Sequence, residues 1–228
     1  KMNLIRDISH SIKTPIALTE MALLVVKKSI EKNDQVNLLR AADIANKNIA
    51  KVRKDITSIV EAFTIGMRKK DMIKIKRSSL KMVLDDVVNL EEPAIRKKSL
   101  NIKTELDPAA DKILMDKKDL TLVIGNIIDN AVKYTSLGGI TIKSEIKKDF
   151  AAVTISDTGC GLTKEDKVHM FEKFWKHNIV SEGTGLGLYI CKEIVSLYDG
   201  NINLSSAGEG KGTIVYLELP LAVKEKEL

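Results

Sequence analysis

The feature that most restricts the fold is an apolar repeat in the second of two long helical segments near the start of the chain. In this segment apolar residues alternate at spacings of four and three, at Ala45, Ile49, Val52, Ile56, Ile59 and Phe63. Such a heptad repeat is typical of a helix that packs along a seam with another helix. Residues 1 to about 31 predict an earlier amphipathic helix, with a kink at Pro15, and the polar run Glu31–Asp34 predicts a tight connection.

Two helices joined in this way form a hairpin that cannot bury both apolar faces by itself. A dimeric four-helix bundle built from two chains would bury them, and we favour it. The alternative is a hairpin that packs on a second domain of the same chain. The heptads stop near Gly66–Asp71, where basic residues cluster, so we place a domain boundary there and expect domains at residues 1–68 and 69–228.

Beyond the boundary, segments typical of strands and helices alternate, which predicts an α+β fold with one sheet and helices on one face. Expected strands are Met72–Lys76, Asn101–Leu106, Lys112–Met115, Ile140–Lys147, Ala151–Ser156, Asn201–Leu204 and Thr213–Leu219. Expected helices are Ser79–Lys97, Lys117–Tyr134 and Gly185–Leu197.

Composition excludes several classes of protein. The net charge of +6 comes from lysines spread along all 228 residues, and aromatic residues make up only 4%, so we expect no nucleic-acid binding. Cys160 and Cys191 lack metal-ligand spacing and suggest a reducing compartment. No apolar run reaches a membrane-spanning length. The chain begins inside a predicted helix, so we expect a cytoplasmic fragment whose parent could be anchored in a membrane through an upstream segment.

Two asparagines and a lysine share one face of the predicted helix at 117–134. Asn126, Asn130 and Lys133 are spaced at i, i+4 and i+7. Asparagine is a poor helix former, so two asparagines on one face of a helix suggest a functional role. A neutral oxygen ligand for Mg²⁺ between phosphates is one such role, with Lys133 as a phosphate contact; a solvated polar stripe is the alternative.

Three glycine-rich segments follow this helix. In Asp157-Thr-Gly-Cys-Gly161, Gly159 and Gly161 permit a tight turn, and the Asp157 carboxylate could accept a hydrogen bond from the exocyclic amine of adenine; an ordinary turn is the alternative. The segment from Gly183 to Gly187 opens a helix and so predicts an anion site, although its spacing is not that of a Rossmann fold. Gly208–Thr213 is either a third ligand loop or a plain hairpin loop.

In this order, the asparagine helix, Asp-Thr-Gly-x-Gly, Phe171-Glu-Lys-Phe174, Gly-Thr-Gly-Leu-Gly and Gly-x-Gly-Thr resemble the catalytic domain of sensor histidine kinases. That domain belongs to an ATPase superfamily shared with DNA gyrase, mismatch-repair clamps and a heat-shock chaperone. The run around His10, Ile8-Ser-His-Ser-Ile-Lys-Thr-Pro15, resembles the histidine box of the family's dimerisation and phosphotransfer domain. The resemblance implies an α/β-sandwich ATP-binding domain after a dimeric four-helix bundle.

The resemblance also implies roles for individual residues. Asn130 would coordinate Mg²⁺, with Asn126 and Lys133 near the phosphates of ATP. Tyr134 would stack beside adenine, and Asp157 would read its amine. Gly183, Gly185 and Gly187 would form the hinge of a lid beside the phosphates. The remaining nucleotide-binding residues would be Gly159, Gly161, Thr213 and Lys176. Lys176 stands where the family often has arginine, and lysine keeps the charge without the bidentate fork.

His10 would be the phosphoacceptor, because a neutral imidazole has a ring-nitrogen lone pair that can attack the γ-phosphoryl group. The chain departs from the family at Ser11, where an acidic residue is expected to orient the ring and accept its proton. Asp7 lies one helical turn away and could substitute, or it could be a solvated surface charge. Thr14 matches the position that helps to dephosphorylate a partner, or its hydroxyl could bond backbone at the kink. The other histidines, His169 and His177, flank an aromatic cluster expected to serve a lid.

The sequence therefore predicts an Mg·ATP-dependent histidine kinase that forms a homodimer and passes its phosphoryl group to an aspartate of a response-regulator receiver domain. Two alternatives stay open. Ser11 could make the protein a weak kinase biased towards phosphatase activity, or the protein could be a scaffold gated by ATP.

Overall fold

The computed structural model describes residues 2–73, 75–176 and 183–222, with side chains from residue 12 onward. Two long antiparallel helices come first, α1 (Met2–Glu31) and α2 (Gln35–Met67). Asp34 caps α2 because its side chain accepts a hydrogen bond from the backbone N–H of Asn37 at 3.1 Å. Pro15 lies inside α1, as the sequence predicts. No helix among the described residues is long and apolar enough to cross a membrane.

A five-stranded mixed sheet forms the centre of the α/β unit, which we define as residues 77–222. Its strands are β2 (Asn101–Leu106), β4 (Gly139–Lys147), β5 (Phe150–Asp157), β7 (Ile214–Pro220) and β6 (Asn201–Ser205), in that order across the sheet. The pair β2 and β4 is parallel and the other neighbours are antiparallel. A two-stranded antiparallel ribbon, β1 (Arg77–Ser79) with β3 (Lys112–Leu114), lies beside the sheet.

One face of the sheet is buried, which follows from the alternation of apolar residues along its strands. On β5, for example, Ala151, Val153 and Ile155 are buried. The helices α4 (Lys117–Tyr134) and α6 (Gly187–Leu197) pack on this unit, and α3 (Leu80–Lys97) packs beside α4. A short helix, α5 (Lys164–His169), follows the loop after β5. The predicted α+β class with helices on one face is confirmed.

Two local predictions are wrong. The strand expected at Met72–Lys76 does not form: Lys70–Met72 is a 3₁₀ turn, and the strand begins at Arg77. Apolar Met72, Ile73 and Ile75 alternate as in a strand, but Met72 and Ile75 are exposed. The helix α5 was not expected, because its six residues are too few to show an apolar period; a capping box between Thr163 and Asp166 fixes its start.

The helical hairpin packs on the α/β unit through the second half of α2. Ala62 and Ile65 are buried within the same apolar cluster as the sheet and its helices. Lys54 pairs with Asp129 of α4 at 3.1 Å. The packing on a second domain that the sequence left as an alternative is therefore present in one chain.

The heptad stripe is nevertheless only partly covered. Ala45 is buried, but Ile49, Ile56 and Phe63 are each about half exposed. On α1, Met21, Leu23 and Leu24 are also exposed. An apolar surface of this extent along both helices is typical of a protein interface.

A partly buried ion pair holds the end of α2 against the α/β unit. Arg68, the residue that caps α2, donates two hydrogen bonds of 2.8 Å to the carboxylate of Asp119 in α4. The Tyr198 hydroxyl donates to the same carboxylate at 2.7 Å, and burial together with this bond raises the pKa of Tyr198 to about 12. The carboxylate also raises the pKa of Arg68. Three segments distant in sequence therefore meet at Asp119.

We expect Arg68→Met to lower the free energy of unfolding by about 1–3 kcal/mol, because Asp119 would remain buried with only one donor. Urea denaturation of the whole chain measures the change. Arg96→Met is the matched control: its pair with Glu92 lies within one helix, with side chains 78% and 51% exposed, and should change stability by less than about 0.5 kcal/mol. Equal small changes in both variants would contradict the role of Arg68.

Candidate functional site

A cavity of about 960 Å³ lies between the helical hairpin and the α/β unit. It is lined by every residue that the sequence assigned to the nucleotide except Gly159: Asn126, Asn130, Lys133, Tyr134, Asp157, Gly161, Lys176, Gly183, Gly185, Gly187 and Thr213. Residues separated by up to 87 positions in the chain therefore meet at one place. Gly159 lies behind the lining, where a Cβ atom would stand 2.5 Å from the Tyr134 carbonyl oxygen.

One wall of the cavity is the polar face of α4. The Asn126 amide nitrogen donates to the Leu122 carbonyl at 2.9 Å, which fixes the side chain and leaves its oxygen towards Gly187. Lys133 Nζ lies 3.1 Å from the Tyr134 hydroxyl and 4.6 Å from the centre of its ring. This wall therefore presents amide groups, one cation and an aromatic ring side by side.

The residues support the expected Mg²⁺ ligand. Asn130 is partly buried and lines the cavity, and its side chain makes no hydrogen bond to any part of the chain that the structure describes. An amide oxygen that is open to a cavity beside a lysine suits a metal ion that is shared with phosphates. No group of three or more His, Cys, Asp or Glu side chains among the described residues could hold a metal by itself.

A second wall is the loop after β5, and it is held by backbone groups. Asp157 Oδ1 accepts hydrogen bonds from the N–H of Gly159 at 2.7 Å and from the N–H of Thr213 at 3.2 Å. Burial raises the pKa of the Asp157 carboxyl, and these two N–H groups oppose the shift. Oδ2 has no hydrogen-bond donor among the described residues, so one carboxylate oxygen is available to an amine in the cavity.

Gly208–Thr213 is a connection between two strands and also part of the site. The Gly210 N–H donates to the Cys160 carbonyl at 2.6 Å, and the Gly212 N–H donates to the Gly159 carbonyl at 3.1 Å. A side chain at Gly161 would collide with the Gly208 carbonyl oxygen. The two loops are therefore joined by hydrogen bonds. The sequence left open whether Gly208–Thr213 is a ligand loop or a plain hairpin loop, and it is both a strand connection and part of the cavity wall.

The third wall is the segment from Gly183 to Gly187, directly before α6. Gly183 and Gly185 have φ angles of +105° and +71°, which glycine adopts without strain. A Cβ atom at Gly185 would lie 2.6 Å from Phe174 and Trp175 backbone atoms. A Cβ atom at Gly183 would lie 3.5 Å from Lys133 Nζ, so a cation lies beside the start of this helix, where backbone N–H groups favour an anion.

The aromatic cluster lies at the edge of the cavity, where the sequence expected a lid. The Trp175 indole N–H donates to Asp166 Oδ1 at 3.3 Å, and its ring lies 4.8 Å from that of His169. Trp175 and Lys176 both line the cavity. His177 and the rest of the predicted lid, up to residue 182, lie outside the described residues.

The expected phosphoacceptor region is described only in part. The backbone of His10, Asp7 and Ser11 belongs to α1, but their side chains lie outside the described residues, so their predicted roles remain predictions. Thr14 is exposed on α1. Leu18 is the residue of α1 that lines the cavity.

Sequence reasoning missed the contribution of α2 and α3. Lys51, Lys54 and Asp55 of α2 line the cavity. Lys98, at the end of α3, donates to the carbonyls of Val132 and Lys133 at 2.7 and 2.8 Å and so supports the end of α4. Lys51 and Asp55 are four residues apart, so the sequence could have placed them on one face of the helix. It could not have shown which part of the chain that face contacts.

Comparisons with known proteins agree with this geometry. The family described as "Histidine kinase-, DNA gyrase B-, and HSP90-like ATPase" matches residues 115–223. The virulence sensor protein BvgS of Bordetella bronchiseptica is 28% identical over 99% of this chain. The autoinducer 2 sensor kinase/phosphatase LuxQ of Vibrio harveyi is 26% identical over the whole of it. This chain spans 19% of the first relative and 27% of the second.

The fold is also that of a solved histidine kinase. The structure of histidine kinase ThkA in complex with response regulator protein TrrA matches 96% of this chain and 61% of that one, with a TM-score of 0.70 and 21% identity. Residues 115–223 belong to this ATPase family, and the whole chain is similar to sensor histidine kinases in sequence and fold. The α/β unit, which contains these residues, is accordingly the ATPase domain, and the cavity lies where that domain meets the hairpin.

We expect Gly187→Ala to weaken ATP binding at least about tenfold, because its Cβ would stand 2.9 Å from Asn126 Oδ1 and displace the amide. Isothermal titration with Mg·ATP measures the affinity. Gly125→Ala is the matched control on α4, since no atom lies within 4 Å of its added Cβ. It should bind ATP normally and be no less stable, because alanine favours a helix interior. Unchanged affinity in Gly187→Ala would remove the α6 start from the site.

The fluorescence of Trp175 should change when Mg·ATP is added, because the indole lines the cavity and rests on Asp166 and His169. It is the only tryptophan in the chain, so the signal is unambiguous. Gly187→Ala, at nucleotide concentrations that saturate the wild type, should give a smaller change. An identical spectrum with and without saturating nucleotide would contradict coupling between Trp175 and the site.

Proposed function

We propose that this chain is the kinase core of a two-component sensor, which phosphorylates His10 with Mg·ATP and passes the phosphoryl group to an aspartate of a response regulator. In this proposal residues 1–68 form the dimerisation and phosphotransfer domain, and residues 69–228 form the catalytic ATP-binding domain. The proposal concerns only the region that this chain shares with its longer relatives, BvgS and LuxQ.

The observation that carries the proposal is the position of the cavity against the hairpin. The backbone N–H of Asp34 donates to the Ser29 carbonyl at 2.8 Å, so these residues mark the turn. At 1.5 Å per residue, His10 lies about 28 Å along α1 from that turn, and Asp55 lies about 32 Å along α2. Asp55 lines the cavity. The cavity therefore opens on the hairpin at the height of His10.

The lining residues suit a nucleoside triphosphate. Asp157 Oδ2 would accept the amine of adenine, and Tyr134 would stack on the base. Lys133 and Lys176 would neutralise the phosphates as point charges. Asn130 would supply an oxygen ligand to Mg²⁺, which when bound would offset the negative charge of the phosphates. These residues position and neutralise the substrate, which is most of what phosphoryl transfer needs from a protein.

In the transfer step, a ring nitrogen of His10 would attack the γ-phosphorus in line. The bond between that phosphorus and the oxygen bridging to the β-phosphate would break, and ADP would leave. A receiver-domain aspartate would then attack the phosphohistidine. The likeness to ThkA, whose structure contains the response regulator TrrA, supports a partner of that class.

The exposed apolar stripe supports a homodimer. Ile49, Ile56 and Phe63 on α2 share the heptad face, and the exposed apolar residues of α1 extend it. Burying this surface against a second hairpin would complete a four-helix bundle. A two-fold axis parallel to the helices keeps His10 and the cavity at the same height in both protomers.

A second candidate function is phosphatase activity towards the regulator with weak kinase activity. Ser11 favours it, since a hydroxyl cannot act as a base near neutral pH. Thr14 is exposed on α1 and so accessible to a docked partner. A scaffold that is only gated by ATP has less support, because it gives no role to the match around His10.

We expect His10→Gln to abolish phosphate incorporation from labelled ATP while leaving ATP affinity unchanged, because the nucleophile is on α1 and the nucleotide site is in the α/β unit. The label on wild type should be stable to base and labile to acid. His169→Gln is the matched control and should retain the label. Label persisting in His10→Gln would place the acceptor elsewhere, and an unlabelled wild type that binds ATP would favour the alternatives.

A further inference from the structure

One buried carboxylate of the cavity has no hydrogen-bond or ion-pair partner among the residues that the structure describes. Asp55 of α2 is 3% exposed and lines the cavity between the hairpin and the ATPase domain. Among the described residues, neither of its carboxylate oxygens accepts a hydrogen bond or forms an ion pair. Burying a carboxylate without such a partner is costly, so its position calls for a reason other than stability.

The surroundings of Asp55 favour a functional role. Lysines on three segments face it: Lys51 and Lys54 on α2, Lys133 on α4, and Lys176 after α5. Burial raises the pKa of the Asp55 carboxyl, and these cations oppose the shift without cancelling it. A carboxyl group with a raised pKa is a stronger proton acceptor than one at its ordinary value. Perturbed carboxyl groups in clefts are candidates for catalysis.

The position of Asp55 along the hairpin gives it a specific task. Its backbone lies within about one helical turn of the height of His10, counted from the bond between Ser29 and Asp34. The sequence lacks an acid directly after His10, where Ser11 stands. The cavity thus contains an unpaired carboxylate at the height where the chain lacks the expected one.

We propose that Asp55, on the second helix, supplies the carboxylate that accepts the proton of the histidine ring during phosphorylation of His10. The inference rests on the proposed kinase function. One ring nitrogen forms the bond to the γ-phosphorus, and the bond to the bridging oxygen breaks as ADP leaves. The proton on the other ring nitrogen passes to Asp55, which leaves neutral phosphohistidine, and Asp55 then releases the proton to water.

Two other uses of nearby acids make opposite predictions. If Asp7 is the substitute acid, as the sequence suggested, removal of the Asp7 charge should slow the reaction and removal of the Asp55 charge should not. If Asp55 instead competes with phosphates for Lys133 and Lys176, it is inhibitory. Its removal would then tighten ATP binding and speed phosphorylation.

The experiment measures the rate of phosphohistidine formation at saturating Mg·ATP, together with ATP affinity, in the whole chain. Asp55→Asn keeps the shape of the side chain and removes the proton acceptor. We expect the rate to fall by about 10²-fold, within the usual range for a lost general base, with ATP affinity unchanged. Asp43→Asn is the matched control, since Asp43 is an exposed α2 carboxylate paired with Lys47, and it should label at the wild-type rate.

Rescue separates proton transfer from a structural effect. Ser11→Glu restores the acid beside His10, so in the Asp55→Asn background it should recover at least about tenfold of the lost rate. If Asp55→Asn also lowers ATP affinity, recovery of the rate in the double variant still shows that the lost function is proton acceptance. A double variant no faster than Asp55→Asn alone would overturn the inference.

The remaining outcomes are equally decisive. Labelled wild type with an equally fast or faster Asp55→Asn would overturn the inference and leave the kinase function intact. A wild type that acquires no label on His10 would overturn the proposed function, and the inference with it.

Discussion

The site depends on the interlocking of two loops through backbone hydrogen bonds. The segment from Asp157 to Gly161 and the segment from Gly208 to Thr213 exchange N–H and carbonyl groups, and glycine is required where they approach most closely. This contact fixes the Asp157 carboxylate and closes one wall of the cavity. Because the first loop follows β5 and the second precedes its neighbour β7, the pairing of these two strands determines the separation of the loops. The rest of the site is assembled around that wall.

Electrostatics in the cavity are arranged for an anionic ligand. Lys133 and Lys176 both line it, and the start of α6 adds backbone N–H groups. Three carboxylates whose pKa values are raised by burial, Asp55, Glu91 and Asp157, also line the cavity. Asp157 is held by backbone donors, whereas Asp55 has none among the described residues. The cavity therefore contains one carboxylate that backbone groups hold in place and another that they do not.

The sequence predicted the α/β unit well because its signals are local. Strand alternation, the glycine segments and the polar face of α4 each lie within one short stretch, so their order was enough to place Asn130 and Asp157 at one site. The strand at Met72–Lys76 was wrong because alternation alone does not show what would pair with it. Asp55 was missed because its burial depends on how the hairpin rests on the ATPase domain, and no pattern within α2 encodes that contact.

The junction at Arg68 has a mechanical consequence. The last turns of α2 are embedded in the core through Ala62 and Ile65, and Arg68 is fastened to Asp119 at the start of α4. Because the end of α2 is held by both contacts, a rotation of α2 about its axis would also move α4. Because α4 carries Asn130 and Lys133, a rotation of α2 would also shift the residues that line the nucleotide site.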